Sequence, residues 1–442
     1  MLHEYLHIEQ SLPISGQTTL IGAKNAVLVI MASTLLTTGK SRFNNVPGSH
    51  DVYQMIKLLT NLGAHISFDE LAHTLEIDTS FVARHAVSSE LMNKMRASVL
   101  VMGPLLARFG KADIALPGGC VIGARPIDYH IKNFERMGVT VETMGDFIVA
   151  SAPHLRAIKV ALDYPSVGAT ENLMMAATLT QGITRIINAA LEPEVLDLIA
   201  VLQKMGAHIT ILPPATIEIE GVNQLLPVEH EIMPDRLEAG ALLLAAAITG
   251  GTLYLPQAPA YAMDIFLMKL QEMGHYIEVG SHDVGVLLKA TNSPRAVSFK
   301  TTPYPGFPTD LQAPMMAAQC VAQGTSVIEE TVYENRLVHV RELQKMGAQV
   351  VVKNNVAQVT GVDELYGTHV IACDIRASCS LVLAGLVAQG STIMTAVHHW
   401  RRGYDALEQK LARLGARIAY TTEEMPGMTA LDVAVPEIGV QL

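Results

Sequence analysis

Strongly apolar segments recur along the chain, and segments of mixed character follow each of them. Residues 97–109, 237–249 and 377–389 are apolar almost all the way round a helical projection, which predicts helices that are buried on every side. Further on in each repeat come runs in which polar and apolar residues alternate, such as His65-Ile66-Ser67-Phe68. A period of two is typical of strands. The pattern therefore predicts a mixed α/β protein with helices in its interior.

Two glycines recur in each of six repeats of roughly 70 residues. One set follows a bulky apolar residue at the end of an amphipathic segment and consists of Gly63, Gly138, Gly206, Gly274, Gly347 and Gly415. The other set follows the strongly apolar segments and consists of Gly39, Gly110, Gly182, Gly250, Gly324 and Gly390. Many helices end on a left-handed glycine, so the first set predicts the ends of six amphipathic helices.

Each repeat is therefore predicted to contain a buried helix, a strand, an amphipathic helix, a strand and one further strand. Solenoid repeats ordinarily have a shorter period. We instead expect two globular domains of three repeats each, which suits a chain of 442 residues. The break between them is expected after the third repeat, near residues 232–235.

A third repeated position lies at the start of each buried helix. It is occupied in turn by Asn25, Arg96, Gly168, Arg236, Asp310 and Arg376. Helix N-termini carry unpaired N–H groups and a partial positive charge, and they attract phosphate and carboxylate groups. A carboxylate such as Asp310 can simply cap its helix. Three arginines at one repeat position are unfavourable to the helix dipole, so they predict a nearby anion.

Residues 116–127 form a glycine-rich loop around Cys120, with Arg125 five residues further on. Glycine lets the backbone approach a ligand closely, and a neighbouring cation lowers the pKa of a thiol and makes it reactive. This spacing fits a reactive cysteine on a mobile loop. It fits equally well a tight turn that buries a small cysteine.

Composition narrows the function classes. The formal net charge of −11 argues against non-specific binding of nucleic acid. The first ten residues carry Glu4 and Glu9 and do not form a secretion signal, and no apolar segment is long enough to span a bilayer. We expect a cytoplasmic protein without membrane insertion, and neither a disulfide framework nor zinc-ligand spacing is found among Cys120, Cys320, Cys373 and Cys379.

Five motifs resemble the UDP-N-acetylglucosamine enolpyruvyl transferase family, over roughly Ile14 to Ile418. The motifs are Gly22-Ala23-Lys24-Asn25, Pro117-Gly118-Gly119-Cys120 continuing to Arg125-Pro126, Phe307-Pro308-Thr309-Asp310, Asp374-Ile375-Arg376-Ala377-Ser378 and Arg402-Gly403-Tyr404. The resemblance implies two inside-out α/β domains with six repeats of a βαβαββ-like unit, three per domain. It assigns residues 23–233 to one domain and residues 1–22 with 234–442 to the other, joined by hinge strands near residues 21–22 and 232–234.

The resemblance implies transfer of the enolpyruvyl group of phosphoenolpyruvate to the 3′-hydroxyl of UDP-N-acetylglucosamine. The reaction proceeds by addition and elimination, releases phosphate and commits the sugar to peptidoglycan precursor synthesis. Cys120 would be the general acid, the site of a covalent adduct and the target of fosfomycin. Asp310 would take the proton of the sugar hydroxyl. Lys24, Arg125 and Arg402 would hold phosphoenolpyruvate, with Asn25 close by.

The same resemblance implies a sugar-nucleotide site and leaves no role for a cofactor, a metal ion or an obligate protein partner. Its residues would be Arg96, Arg125, Pro126, Ile127, Asp128, Tyr129, Ser166, Val167 and Val332. Arg336 and Arg376 would assist closure or bind phosphate. Closing the domains would exclude water, with the Cys120 loop as the lid.

Two positions depart from the family pattern and keep rival functions open. Tyr164 stands where the family often has lysine, which removes one cation from the nucleotide site, and Arg401 stands where it usually has an acidic residue. The nearest rival is the shikimate-phosphate enolpyruvyl transferase, which lacks the cysteine loop. RNA 3′-terminal cyclase, a further fold relative, fits neither the acidic charge nor the motifs. A non-catalytic paralogue that only binds a sugar nucleotide would not need Cys120 and Asp310 together.

Overall fold

The computed structural model describes residues 3–87, 96–115, 127–145 and 147–423. Six repeats of one unit, βαβαββ, account for most of these residues. The unit is clearest in the third repeat, where a short strand, a buried helix, a strand, a second helix and a two-stranded hairpin follow one another. These elements are β9 (Lys159–Ala161), α5 (Val167–Ala177), β10 (Ile183–Ile187), α6 (Pro193–Lys204), β11 (His208–Leu212) and β12 (Thr216–Glu220).

The first two repeats have the same order of elements. The first contains α1 (Lys24–Ser33), β3 (Lys40–Asn44), α2 (His50–Leu62), β4 (His65–Asp69) and β5 (Thr74–Asp78). The second contains a 3₁₀ helix (Arg96–Val101), α3 (Met102–Phe109), β6 (Lys111–Ala115), α4 (Asp128–Arg136), β7 (Thr140–Met144) and β8 (Phe147–Ser151). Strand β13 (Glu229–Glu231) then pairs in parallel with β3 of the first repeat, so the three repeats close into a ring.

The last three repeats form a second ring, to which the N-terminal segment contributes. The fourth contains α7 (Arg236–Thr249), β14 (Thr252–Pro259), α8 (Asp264–Glu272), β15 (Tyr276–Val279) and β16 (Val284–Lys289). The fifth contains β17 (Phe299–Lys300), a 3₁₀ helix (Thr309–Leu311), α9 (Gln312–Gln319), β18 (Thr325–Glu329), α10 (Val340–Lys345), β19 (Gln349–Lys353) and β20 (Val356–Thr360). The sixth contains β21 (His369–Ile371), α11 (Ile375–Val387), β22 (Ser391–Thr395), α12 (His398–Gly403), α13 (Leu407–Arg413) and β23 (Arg417–Glu423).

Each repeat has its own small sheet. Two of these sheets include a strand of the N-terminal segment, β1 (His3–Glu9) or β2 (Gly16–Gln17). The strand orders are β13-β3-β5-β4, β6-β8-β7, β11-β12-β10-β9, β15-β16-β14-β2, β17-β18-β20-β19 and β21-β22-β1-β23. Strand β2 (Gly16–Gln17) supplies the parallel strand of the fourth sheet, and β1 (His3–Glu9) lies between β22 and β23 in the sixth. The N-terminal segment therefore completes two sheets of the second ring.

The strongly apolar helices lie inside and the sheets lie outside, as the hydrophobic pattern predicts. In α7, every residue from Arg236 to Ala247 is buried. The strands bury alternate residues, and β5, for example, buries Leu75 and Ile77 between partly exposed neighbours. The predicted fold class, with two inside-out α/β halves of three repeats, is confirmed.

Two separate hydrophobic cores divide the described chain. One contains buried residues from Ala23 to Met233, and we call this part the first lobe. The other joins buried residues 6–20 to Leu237 and the chain beyond it up to Ile418, and we call it the second lobe. In both lobes the buried helices contribute most of the core, because their apolar surface extends round the whole helix.

The glycines that recur along the sequence have the predicted backbone conformation. All twelve have positive φ, from 66° at Gly110 to 132° at Gly39. The predicted helix ends are confirmed at Gly63, which caps α2 in the left-handed conformation, and at the equivalent glycine of the other five repeats. A left-handed residue at this position ends a helix at low cost only when it is glycine.

Two chain crossings connect the lobes side by side. Gly22 and Pro234 form an antiparallel bridge, the Ala23 N–H donates to the Met233 carbonyl at 2.8 Å, and the Asp235 N–H donates to the Ile21 carbonyl at 2.8 Å. A β-carbon at Gly22 would lie 1.9 Å from the carbonyl oxygen of Asn45. Only glycine fits at this crossing.

None of the helices in the described residues combines the length and the apolar character needed to cross a membrane.

Candidate functional site

The N-terminal ends of the buried helices carry the candidate chemistry. The structure confirms that the third repeated position lies at the start of a buried helix in all six repeats. Four of these residues lie in the first turn of an α-helix, in α1, α5, α7 and α11, and they are Asn25, Gly168, Arg236 and Arg376. The other two lie in the 3₁₀ turns that lead into α3 and α9, and they are Arg96 and Asp310. Side chains cap three of these helices. Ser166, Asp235 and Asp374 accept backbone N–H groups of α5, α7 and α11.

Asp310 is the centre of a charged cluster built from both lobes. Its Oδ1 accepts a hydrogen bond from Arg336 Nη2 at 2.7 Å, and its Oδ2 accepts one from Arg376 Nη2 at 2.9 Å. Asn25 of the first lobe approaches Oδ2 with its side-chain amide at 3.5 Å. The Asp310 side chain is 25% exposed, whereas the side chains of Arg336 and Arg376 are 4% and 5% exposed. The exposed side of Asp310 therefore faces the space between the lobes, and the two arginines contact the carboxylate from its buried side.

The neighbouring arginines decide the protonation state of Asp310. Burial on its own would raise the pKa of this carboxyl, but Arg376 and Arg336, with a smaller contribution from Lys24, hold the pKa well below its usual value. Asp310 is therefore a carboxylate throughout the neutral range. In this ion-paired arrangement it is a weak base.

Lys24 and Arg402 share a second carboxylate, Asp51. Lys24 Nζ lies 3.3 Å from Asp51 Oδ2, and Arg402 Nε lies 2.9 Å from Asp51 Oδ1. Asp51 belongs to α2 in the first lobe and Arg402 to α12 in the second, so this contact joins the lobes. Beside it, the Gly48 N–H donates to Asp405 Oδ2 at 2.8 Å.

Arg376 has a further partner within the second lobe. Its Nη1 donates to the Tyr404 hydroxyl at 3.2 Å, and its guanidinium carbon lies 5.6 Å from the centre of the Tyr404 ring. Arg336 differs, because its Nε and Nη1 are buried and have no hydrogen-bond partner among the described residues. These unsatisfied donors are costly unless a ligand accepts from them.

Arg236 shows that an arginine at a helix start can find its anion inside the protein. Its Nε and Nη2 donate to the two oxygens of Glu194 at 2.9 and 3.2 Å, and both side chains are buried. The bidentate pair crosses from the second lobe to the first. The sequence correctly predicts that this arginine needs an anion, and the anion is an internal carboxylate.

A second group of predicted residues gathers next to this cluster. Ile127 is the N-cap of α4, and Asp128 and Tyr129 are the first residues of that helix. The next residue, His130, has its ring about 3.4 Å from the position of a β-carbon on Gly168. Ser166 and Val167, at the start of α5, therefore lie beside the start of α4.

Tyr164 connects this second group to the second lobe. Its pKa is raised to about 12 by burial and by the negative charges or dipoles of Tyr333, Glu192 and Glu330. Glu330 accepts hydrogen bonds from the Val332 N–H at 2.9 Å and from the Thr309 hydroxyl at 2.9 Å. Val332 is thereby held near Asp310. The Tyr164 side chain has acidic rather than cationic neighbours.

Arg401 takes no part in the cluster. Its guanidinium carbon lies 4.1 Å from the centre of the Tyr420 ring, and Nη1 lies 3.7 Å from Glu4 Oε1. Both partners belong to the sixth sheet, and the Arg401 and Glu4 side chains are about half exposed. The departure from the family pattern at Arg401 therefore affects the surface of the sixth sheet.

Four predicted residues cannot be placed by their side chains. Cys120, Arg125 and Pro126 lie outside the described residues, and only the backbone of Arg96 is described, at the start of its 3₁₀ helix. Of the remaining cysteines, Cys320, Cys373 and Cys379 are free. In the described part of the chain, His, Cys, Asp and Glu side chains do not gather in threes as a metal site would require.

The most important site residue that the sequence did not predict is Asp51. It lies in the first turn of an amphipathic helix, where an acidic residue is common and ordinarily stabilises the helix dipole. The sequence does contain one signal that this carboxylate is buried. It falls on the apolar face with Met55 and Leu58, spaced three to four residues apart, so a carboxylate there needs a partner.

The chain matches the family described as EPSP synthase (3-phosphoshikimate 1-carboxyvinyltransferase) over residues 8–411. It is 46% identical over 411 residues to UDP-N-acetylglucosamine 1-carboxyvinyltransferase 1 of Caldanaerobacter subterraneus subsp. tengcongensis, covering 93% of this chain and 98% of the relative. It is 45% identical over 410 residues to UDP-N-acetylglucosamine 1-carboxyvinyltransferase of Geobacter metallireducens, covering 93% and 97%.

Solved structures have the same architecture. The enolpyruvyl transferase NikO from Streptomyces tendae superposes with a TM-score of 0.86 at 26% identity, covering 96% of this chain and all of NikO. EPSP synthase from Acinetobacter baumannii superposes with a TM-score of 0.72 at 16% identity, covering 95% of this chain and all of that structure. The second likeness concerns the fold alone.

Proposed function

This chain belongs to the enolpyruvyl transferase family, and from that membership we propose that it transfers the enolpyruvyl group of phosphoenolpyruvate to the 3′-hydroxyl of UDP-N-acetylglucosamine. Phosphate is the second product, and the reaction is the first committed step of peptidoglycan precursor synthesis. The protein is thus a transferase that acts in the cytoplasm on two small anionic substrates.

One observation of the structure carries this proposal. Lys24 and Asn25 of the first lobe lie close to Asp310, Arg376 and Arg402 of the second lobe, in one charged cluster where the lobes meet. Phosphoenolpyruvate carries a carboxylate and a phosphate, so it needs several fixed cations. Arginine suits both groups because its planar fork donates two parallel hydrogen bonds.

Phosphoenolpyruvate binds between the lobes in this proposal. Lys24, Arg125 and Arg402 hold its phosphate and carboxylate, with Asn25 beside them. Arg336 and Arg376 receive whichever anionic group reaches Asp310, and the unpartnered Nε and Nη1 of Arg336 are two donors available for it. The same positive charges stabilise the negative charge of the tetrahedral intermediate.

The chemistry takes place in two steps. In the addition, the 3′-oxygen bonds to C2 of phosphoenolpyruvate, its proton passes to Asp310, and Cys120 gives a proton to the methylene carbon. In the elimination, the methyl group returns a proton to the Cys120 thiolate and the bond from C2 to the phosphate oxygen breaks, which releases phosphate and restores the double bond. Asp310 becomes a better base when the substrate draws Arg376 and Arg336 away from it, because their charges lower its pKa.

The sugar nucleotide binds along the starts of α4 and α5. Arg96, Arg125, Pro126, Ile127, Asp128 and Tyr129 would line one side, with Ser166, Val167 and Val332 on the other. The proximity of Gly168 to His130 and of Tyr164 to Tyr333 supports this grouping. Tyr164 supplies no cation, so the diphosphate depends on the other basic residues.

Two domains that close on the substrates complete the proposal. Their bounds would be 23–233 for the first, and 1–22 with 234–442 for the second. The separate cores and the paired crossings at Gly22 and Pro234 support this division. Closure would exclude water from the charged cluster and strengthen its electrostatics.

Phosphate release tests the proposal directly. Purified protein is given phosphoenolpyruvate with UDP-N-acetylglucosamine, and in parallel with shikimate 3-phosphate, and inorganic phosphate is measured over time. Release with UDP-N-acetylglucosamine alone is expected. Release with shikimate 3-phosphate alone would refute the acceptor, and release with neither would refute the transfer reaction in favour of a binding protein.

A further inference from the structure

Asp51 is a buried carboxylate that the transfer reaction described above does not use. It is 3% exposed and contacts the two cations, Lys24 and Arg402, that approach the substrate from opposite lobes. Each carboxylate oxygen accepts from a different cation, at 3.3 and 2.9 Å. A buried acid that bridges two ligand-binding cations can act on the reaction through both.

We propose that Asp51 is a positioning residue for the transfer reaction, which keeps the Lys24 ammonium charged and aims the Arg402 guanidinium at the phosphoenolpyruvate anion. This inference rests on the proposed function, because it assigns Lys24 and Arg402 to that substrate. Asp51 itself does not touch the reacting atoms.

Lys24 needs such a partner because of where it lies. It is only 8% exposed, and burial is the main cause that lowers its pKa. Arg376 and Arg402 lower the pKa further, whereas Asp51 and, more weakly, Asp310 raise it. An ammonium without Asp51 would therefore lose its proton at a lower pH.

The other charged groups around Lys24 are engaged elsewhere. On α6, which packs against α1, Glu194 pairs with Arg236, and Asp197 pairs with His230. The pKa of His398 in α12 is lowered by burial and, to a smaller extent, by Arg402 and by His50, the first residue of α2. Asp51 is thus the carboxylate in direct contact with Lys24 among the described residues.

Asp51 also fixes the direction of Arg402. Asp51 accepts a hydrogen bond from the Nε–H of Arg402 at 2.9 Å, and no other side chain of the described residues accepts from that guanidinium, which leaves its terminal amino groups available to a ligand. The contact between Gly48 and Asp405 holds the same two segments together three residues away on each side. Arg402 is therefore oriented before the substrate arrives, which reduces the entropic cost of binding.

The test is the pH dependence of kcat/KM for phosphoenolpyruvate in Asp51→Asn, which keeps the shape of the side chain and removes its charge. The alkaline limb should move to lower pH by about one unit or more, and kcat/KM at neutral pH should fall. Asp405→Asn is the matched control, because it weakens the neighbouring contact between the lobes without touching Lys24. Its alkaline limb should coincide with that of the wild type.

Two further variants separate charge from structure. The alkaline limb of the double variant Lys24→Arg with Asp51→Asn should coincide with that of Lys24→Arg alone, because arginine keeps its proton across this range and the limb is then set by other groups, such as the Cys120 thiol. An Asp51→Asn limb that coincides with the wild type, or an equal displacement in Asp405→Asn, would overturn the inference.

A titration that needs no turnover tests the contact between Asp51 and Lys24 separately from the proposed function. In protein labelled with ¹³C at the lysine ε-carbons, Lys24 is identified as the signal missing from Lys24→Arg, and its titration is compared in the wild type and in Asp51→Asn. A displacement to lower pH in Asp51→Asn is expected. An unchanged titration would overturn this inference and leave the proposed function standing, whereas absent phosphate release from the wild type would overturn the proposed function and, with it, the role of Asp51 in the transfer reaction.

Discussion

Replacing Asp310 by asparagine should separate catalysis from anion binding. The carboxylate neutralises two guanidinium groups at 2.7 and 2.9 Å. At an effective dielectric constant near 20, each contact corresponds to about 6 kcal/mol of gross attraction. Most of that is offset by the loss of hydration of the two buried guanidinium groups and the partly buried carboxylate. Asparagine leaves Arg336 and Arg376 in place but without their internal counter-ion.

Two opposite effects are expected in Asp310→Asn. Turnover should fall by about 10²- to 10⁴-fold, the usual contribution of a general base. Inorganic phosphate should bind about tenfold or more tightly, which needs only about 1.4 kcal/mol of the attraction released by the two arginines. The affinity is measured by calorimetry and the turnover by phosphate release. Asp363→Asn, at an exposed position of the second lobe, is the control and should change neither quantity.

Either of two results would refute this reasoning. Turnover within tenfold of the wild type would show that Asp310 is not the base. Weaker phosphate binding together with lost turnover would show that the carboxylate serves to keep the arginines in place, and the ion pairs would then be structural.

Three further predictions concern the charges that join the lobes and the nucleotide site. Glu194→Gln leaves Arg236 buried without its counter-ion, so urea unfolding should show a free energy of unfolding lower by about 3 to 5 kcal/mol. The double replacement Glu194→Leu with Arg236→Met should recover most of that stability. A Glu194→Gln variant as stable as the wild type would contradict the role of the pair. Burial raises the pKa of Glu238 to about 7, partly opposed by Lys410, so the folded state binds this proton more tightly than the unfolded state and loses stability as the pH rises from about 4.5 to 7. The free energy of unfolding of Glu238→Gln should therefore gain up to about 3 kcal/mol relative to the wild type over that range. A difference between the two proteins that does not change with pH would refute the assignment. Tyr164→Lys should lower KM for UDP-N-acetylglucosamine severalfold, because it restores a cation at this position. Tyr164→Phe should leave KM nearly unchanged. Equal KM values in the two variants would show that no phosphate group of the substrate reaches this position.

The fold could be predicted from local patterns because the molecule repeats itself. Each unit ends its helices on a glycine whose left-handed conformation other residues adopt at a cost, so Gly63 and its equivalents appear in the sequence wherever that turn recurs. The buried helices are likewise visible, because segments such as α7 have no polar face. These features depend on neighbours a few residues away.

The candidate site was only partly predictable, because its geometry depends on how the two lobes meet. The start of each buried helix marks Asn25, Asp310 and Arg376, and the structure brings these three together. The pairing of each cation with its anion is decided by partners that lie between 26 and 351 residues away along the chain. Asp51 bonds to Arg402 across 351 positions, and Arg236 pairs with Glu194 instead of a ligand. No local pattern distinguishes those outcomes.

The placement of β1 has a consequence for the synthesis of the protein on the ribosome. The first lobe is one continuous stretch of chain, so its ring of sheets can close once β13 has emerged. The sixth sheet cannot close in this way, because Leu6 pairs with Met394 on one side and with Tyr420 on the other. Strand β1 therefore keeps at least one edge unpaired until β23 has been translated. A circular permutant that begins at residue 23 and carries residues 1–22 after the sixth repeat would remove that wait.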